Sequence, residues 1–135
     1  MNKLVPALLF SKKYQRPRLH AAFILYFLIL VLGSVPHARA EIANVAPGVI
    51  LHSVAYSVIT FLLFTGFNGD RLGKSIRAVL IVVIMGAFDE CIQSFFPYRN
   101  AAVSDLLIDS GASLVTAFLL LKLGTGQSAR DSAIG

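Results

Sequence analysis

The sequence predicts an all-α polytopic membrane protein, built as an antiparallel bundle of four transmembrane helices. Of its 135 residues, 56 % are hydrophobic and only 14 % are charged, whereas soluble domains carry about 25 % charged residues. The mean hydropathy is +0.75. This composition excludes a disordered chain and a collagen-like fibre. A disulfide scaffold is excluded as well, because the chain has a single cysteine, Cys91.

Four mostly apolar stretches are each about as long as the roughly 20 residues that a helix needs to cross a bilayer. The short connections between them make successive helices antiparallel neighbours. Proline, glycine and asparagine mark the breaks, as in Pro47-Gly48 and Asn68-Gly69-Asp70. The predicted spans are Leu19–Val35, Gly48–Phe67, Ile76–Phe96 and Val103–Leu123. The predicted parts are a basic cytoplasmic segment (1–18), the membrane domain (19–123) and a disordered cytoplasmic tail (124–135).

The basic residues predict that both termini are cytoplasmic. Of the 12 lysines and arginines, all but Arg39 and Arg99 lie before the first span, between the second and third, or after the fourth. Cytoplasmic connections carry such an excess. The net charge of +5 therefore needs no anionic partner, and we expect no nucleic-acid binding. An alternative is that residues 1–40 are a secretory signal cleaved after Ala38-Arg39-Ala40, which would leave three spans.

Ionisable residues inside the spans are the candidates for a functional site. A charge at the bilayer centre costs about 2.5–3.5 kcal/mol, so such residues are expected to face the bundle interior. At a rise of about 1.5 Å per residue, those of the second, third and fourth spans lie at similar depths in the outward half. We therefore expect an outward-opening polar pocket formed by His52, Asp89, Glu90, Gln93, Arg99, Asp105 and Asp109, with Tyr56 on the same stripe as His52.

These residue types suit proton transfer and the binding of an anion. A histidine among carboxylates titrates near neutral pH, and an arginine at the mouth suits a phosphate or carboxylate. The candidate catalytic residues are His52, Asp89, Glu90, Asp105 and Asp109. The candidate ligand-binding residues are Gln93, Arg99 and Tyr56. No metal site or cofactor is predicted, although clustered carboxylates also suit a divalent cation.

Each candidate also has a structural interpretation. His52 can be a hydrogen-bonding residue between packed helices, and Asp89 with Glu90 can mark the end of a shorter third span. Arg99 can be an ordinary loop charge. Asp105 and Asp109 form an i,i+4 pair, and we expect Ala112 and Thr116 to continue that stripe as a small-residue packing surface.

The third span and its flank resemble the core of VanZ-like membrane proteins, which reads D-E-x-x-Q-x-F-x-P-x-R. Here it is Asp89-Glu-Cys-Ile-Gln93-Ser-Phe95-Phe-Pro97-Tyr-Arg99. Asp105 and Asp109 resemble the family's D-x-x-x-N/D pair, His52-Ser-Val-Ala-Tyr56 its H-x-x-A-Y, and Gly33-Ser-Val-Pro36 its S-S-x-P. Ala112 and Thr116 stand where the family commonly has glycine. The resemblance covers about residues 20–122, and the family retains its first helix.

The resemblance implies a four-helix protein of the bacterial inner membrane, in a cell-envelope context linked to resistance against teicoplanin-type glycopeptides. It implies no reaction, and whether the protein is an enzyme stays open. The first hypothesis is a pocket that binds or modifies an anionic amphiphile, such as a lipid-linked or cell-wall-related small molecule. The second is a non-catalytic binding or assembly protein. The third, a small proton-coupled transporter, ranks last because no span has an acidic residue in its cytoplasmic half.

Overall fold

The computed structural model describes residues 10–37, 41, 44, 46–98 and 103–132, with side chains up to residue 123. Four long helices make up this part of the chain, which contains no β-strand. The all-α prediction is therefore confirmed. A single 3-10 turn, Lys12–Tyr14, precedes the first helix. The helices are α1 (Gln15–Ser34), α2 (Gly48–Gly66), α3 (Arg71–Gln93) and α4 (Val103–Ser132).

Local chemistry explains where α2 and α3 begin and end. Pro47 precedes the first residue of α2, where its missing N–H costs no hydrogen bond. The Asp70 carboxylate caps α3 by accepting a hydrogen bond from the Gly73 N–H, at 2.9 Å. Gly69, between these helices, has φ +112°, a left-handed conformation that favours glycine. The α2–α3 connection is therefore a tight, capped turn.

Three helices are long and apolar enough to cross a membrane: Lys12–Ser34, Gly48–Gly66 and Val103–Leu123. They correspond to the first, second and fourth predicted spans. Helix α3 is more polar, with Arg71, Lys74 and Arg77 near its start and Asp89 and Glu90 near its end. The third span was predicted to end at Phe96, and this end was wrong, because α3 stops at Gln93 and a turn follows at Ser94 and Phe95. Helix α4 continues to Ser132, into the segment predicted as a tail.

Helix α2 is the central element, because it packs against each of the other three helices. Helix α1 packs mainly on α2, whereas α3 and α4 pack against α2 and against each other. The fully buried apolar core is small and includes Ala22, Tyr56, Ile59, Leu63 and Val82. Most large apolar side chains of α1 lie on the outside, as expected for a lipid-facing helix.

Side-chain hydrogen bonds to backbone carbonyls join the helices at several levels. At one end, the Arg18 guanidinium donates to the Thr65 carbonyl at 2.8 Å and to the Ser11 carbonyl at 2.9 Å. Towards the other end, the Tyr26 hydroxyl donates to the Met85 carbonyl at 3.0 Å. Beyond α3, the Tyr98 hydroxyl donates to the carbonyl of Ser34 at 2.6 Å. These bonds fix α1 against both α2 and α3.

Candidate functional site

A histidine–carboxylate pair joins α2 to α4. The His52 Nδ1 lies 3.0 Å from the Asp109 Oδ1. The Asp109 side chain is 1 % exposed and that of His52 is 20 % exposed. The carboxylate thus lies in the interior, while the imidazole keeps a partly open surface. Both residues were predicted as site residues, and the structure brings them into direct contact.

Tyr56 stacks on His52 one helical turn further along α2. Their ring centroids are 6.0 Å apart and their planes differ by 12°. Tyr56 is fully buried, and its hydroxyl has no hydrogen-bond partner among the described residues. The Tyr56 hydroxyl is therefore a buried polar group one turn of α2 from the His52–Asp109 pair.

A second polar contact joins α2 to α4, two turns of α2 beyond His52. The Thr60 Oγ1 lies 2.9 Å from the Ser113 Oγ and 2.7 Å from the Tyr56 carbonyl. Since Thr60 has one hydroxyl proton, Ser113 can donate to Thr60 while Thr60 donates to the Tyr56 carbonyl. Both hydroxyl residues are fully buried. Helices α2 and α4 are therefore held in register by two polar contacts.

The buried stripe of α4 differs from the predicted one. It runs from Asp109 through Ser113 to Ala117, whereas Ala112 and Thr116 are only half-buried. The predicted continuation was therefore wrong by one residue. Both stripes include Asp109, but Ala112 and Ser113 lie about 100° apart around a helix with 3.6 residues per turn. Ser113 is the residue of the two that contacts Thr60 of α2.

Near its end, helix α3 contributes two buried polar side chains, Asp89 at 3 % and Gln93 at 1 % exposure. They lie one turn apart on one face, as the sequence predicts. Asp89 follows the buried Gly86 by one turn of α3, and a Cβ at Gly86 would lie 3.4 Å from the Asp109 Oδ2. The buried carboxylates of α3 and α4 thus lie on the facing sides of these two helices.

The remaining candidates lie at the edge of this group or outside the described residues. Asp105 is half-buried in the first turn of α4, one turn before Asp109. Glu90 is half-buried and follows Asp89 in the last turn of α3. Arg99 lies outside the described residues, as does the cleavage pattern at residues 38–40. No group of three or more histidines, cysteines or carboxylates suited to a metal ion occurs among the described residues.

Two residues of this region were not assigned a role from the sequence. Gly86 precedes Asp89 by one turn of α3, and a Cβ there would lie 3.0 Å from the Leu106 Cδ1 and 3.4 Å from the Asp109 Oδ2. Its lack of a side chain lets α3 approach α4 at the Asp109 carboxylate. The other is Tyr26, which reaches α3 from α1. Gly86 could have been found from the sequence, because it lies three residues before Asp89 on the same helix face. No sequence pattern indicates the role of Tyr26.

The fold and this site together define a class of protein. The chain is a helical membrane protein with three helices able to cross a bilayer and a polar group buried between α2, α3 and α4. The sequence model of the family described as VanZ/LLP1 matches residues 4–124, and the chain belongs to this family. Searches of curated proteins and of solved structures found no match.

Proposed function

We propose that this VanZ-family protein lies in the bacterial inner membrane and binds or modifies an anionic amphiphilic molecule of the cell envelope at the polar group around His52. The observation that carries the proposal is the His52–Asp109 pair, in which a buried carboxylate holds a partly exposed imidazole. A histidine oriented through one ring nitrogen by a carboxylate can exchange a proton, or donate a hydrogen bond, through the other.

The charges of the group suggest how the work is divided. Asp109 holds His52, and Asp89 lies beside them in the interior. Such carboxylates repel an anionic head group, so the ligand contact is assigned to the imidazole and to Arg99, with Gln93 and Tyr56 supplying neutral polar contacts. Asp89 or Glu90 would handle protons in an enzymatic version, and Asp105 would orient the site or a cation.

The proposal includes α3 as a fourth crossing, with both termini cytoplasmic. Five large apolar residues form an exposed stripe along four turns of α3, beside the exposed Arg71 and Arg77 of its first two turns, whereas Asp89 is buried and Glu90 is half-buried. This stripe consists of Leu72, Ile76, Leu80, Ile84 and Phe88, each at least 50 % exposed. A stripe of that kind suits contact with lipid even though the helix as a whole is polar. The placement of the lysines and arginines supports the orientation.

A specific observation favours a second candidate function. The Thr60–Ser113 contact is fully buried and joins two side chains that are not among the candidate site residues. Together with His52–Asp109 it forms a ladder of the kind that fixes helix packing in membranes. On this interpretation the protein is a non-catalytic binding or assembly protein. The same polar residues would then serve the register of the bundle.

The experiment measures membrane abundance and teicoplanin sensitivity in a bacterial host that expresses the parent or a single variant. His52→Gln and Asp109→Asn are the test variants. His20→Gln, at an exposed histidine of α1, and Thr60→Val are the controls. The proposal expects the test variants to lose the effect on sensitivity at parental abundance, while His20→Gln retains it. If both test variants lose abundance as Thr60→Val does, the packing function is favoured. Retention of the full effect by His52→Gln would overturn the proposal.

A further inference from the structure

One end of the bundle gathers most of the basic side chains. The Arg18 guanidinium bonds the Thr65 carbonyl there, and the Arg77 Nη2 donates to the Asn68 carbonyl at 2.7 Å. Because α4 runs antiparallel to α3 with Asp109 beside Gly86, its residue 122 lies level with the first turn of α3. We call this region the basic end. Its exposed and half-exposed cations are Lys12, Lys13, Arg16, Arg71, Lys74, Arg77 and Lys122.

Little negative charge offsets these cations. Asp70 is the acidic residue of the basic end among the described side chains, and its carboxylate already accepts the Gly73 N–H at 2.9 Å. The other acidic residues of the helices with described side chains, Asp89, Glu90, Asp105 and Asp109, lie towards the opposite end. The basic end is therefore a positively charged surface that complements an anion.

Aromatic rings accompany the cations at this end. The Lys74 Nζ lies 5.9 Å from the centroid of Phe64, and the Arg77 Cζ lies 5.2 Å from that of Phe67. Lys13 lies over Tyr14 at 5.7 Å, and Lys122 over Phe118 at 5.5 Å. These are the cation–ring pairs of the described side chains, and all lie at the basic end. A cation beside a ring suits the interfacial layer of a bilayer, where aromatic rings concentrate and long basic side chains reach the head groups.

We propose that the basic end binds the phosphate-bearing head groups of anionic phospholipids in the leaflet where it lies. The cations supply the charge complement, and the rings supply apolar surface that a lipid covers and a free phosphate ion does not. Membrane-adjacent cations gain about fivefold in affinity each for an anionic surface. The proposal concerns the end of the bundle away from His52 and is independent of any ligand bound there.

The test uses the purified full chain in a neutral detergent and measures lipid retention by native mass spectrometry. The probes are phosphatidylglycerol, phosphatidylcholine of matched acyl chains, and inorganic phosphate. The main variant replaces Lys12, Lys13 and Lys74 by glutamine together, since none of these side chains donates a hydrogen bond to another described residue. Two controls match it: the same three positions as arginine, and Arg39→Gln, in the connection between α1 and α2.

The proposal expects the parent to retain phosphatidylglycerol over phosphatidylcholine, with a preference that falls as salt rises. The glutamine triple variant should lose at least about tenfold of that preference, while both controls keep it. Equal retention of the two lipids, a triple variant like the parent, or displacement of phosphatidylglycerol by equimolar phosphate would each overturn it. If the triple variant does not fold, the lipid preference of the parent and its salt dependence decide the question.

Discussion

A methyl group placed on Gly86 of α3 would stand 3.4 Å from the Oδ2 of Asp109 on α4. The other oxygen of that carboxylate lies 3.0 Å from the His52 Nδ1 of α2. The Asp109 carboxylate therefore lies between two helices. One of its oxygens faces the backbone of α3 at Gly86, and the other contacts the His52 imidazole of α2. The spacing of α3 and α4 and the position of His52 depend on the same residue.

Gly86→Ala should destabilise the protein by about 1–3 kcal/mol, because the added methyl would overpack the contact with α4. Its nearest neighbour would be the Leu106 Cδ1 at 3.0 Å, so adding Leu106→Ala should recover part of the loss. Gly111→Ala is the matched control, since nothing lies within 4 Å of a Cβ there. The control should be neutral or gain about 0.5–1 kcal/mol. Thermal unfolding of the purified protein in detergent measures both, and equal effects would contradict the close contact.

His52 and Asp109 should show strong coupling in a double-mutant cycle. His52→Leu leaves a buried carboxylate without its imidazole and should cost about 3–5 kcal/mol. Asp109→Leu leaves a single ring nitrogen unpaired and should cost about 1–3 kcal/mol. The double variant should lose less stability than the sum of the two single losses, because it leaves neither group buried without its partner. Denaturant titration gives the free energies of unfolding of the parent and of the three variants. Simple additivity of the losses would show that the two side chains do not depend on each other.

Arg18 should matter for stability although it lies at the end of the bundle. Arg18 is 6 % exposed, and its guanidinium donates to the Thr65 carbonyl in the last turn of α2. A cation at this end of a helix also complements the helix dipole. Arg18→Gln should cost about 1.5–3 kcal/mol. The stability of Arg18→Lys should lie between those of the parent and Arg18→Gln, because an ammonium cannot reproduce the planar arrangement of N–H donors in a guanidinium. Arg16→Gln, at an exposed neighbour, is the control in the same thermal assay, and a loss equal to that of Arg18→Gln would contradict this role.

Asp70 should make the start of α3 sensitive to acid. The Gly73 N–H, which the carboxylate accepts, lowers the pKa of Asp70 below its ordinary value. A carboxyl with a lowered pKa in the folded state adds stability above its unfolded pKa and loses it as the pH falls through the folded pKa. The contribution should therefore disappear below about pH 4. Asp70→Asn can still cap the helix but does not titrate.

The measurement for Asp70 is the difference in melting temperature between parent and Asp70→Asn as a function of pH. The difference removes the contributions of the other carboxylates, which both proteins share. It should favour the parent near neutral pH and shrink in the acidic range. A difference that stays constant with pH would show that the capping bond does not act through the ionised carboxylate.

Much of the fold could be predicted from periodicity and breaks, but the meeting points of the helices could not. Apolar length and Pro47 located α2, and the acidic pair of α4 correctly marked its inner face at Asp109. Which residues of facing helices meet depends on helix rotation, which a stripe of small residues does not specify. In the structure Ser113, and not Ala112, lies on that face, where its hydroxyl contacts that of Thr60 in the interior. The end of α3 was misplaced because Phe95 and Phe96 continue the apolar pattern beyond the last helical turn.

The central position of α2 has a consequence for biosynthesis. Since α1 packs mainly on α2, these two apolar helices can form a hairpin while α3 and α4 are still being translated. On the proposal that α3 is a fourth crossing, the polar residues of α3 and α4 then enter the bilayer beside a surface that already presents His52 and Thr60 as partners. The order of the helices along the chain thus lets α3 and α4, whose polar residues are unfavourable in lipid, pack against helices that are already inserted.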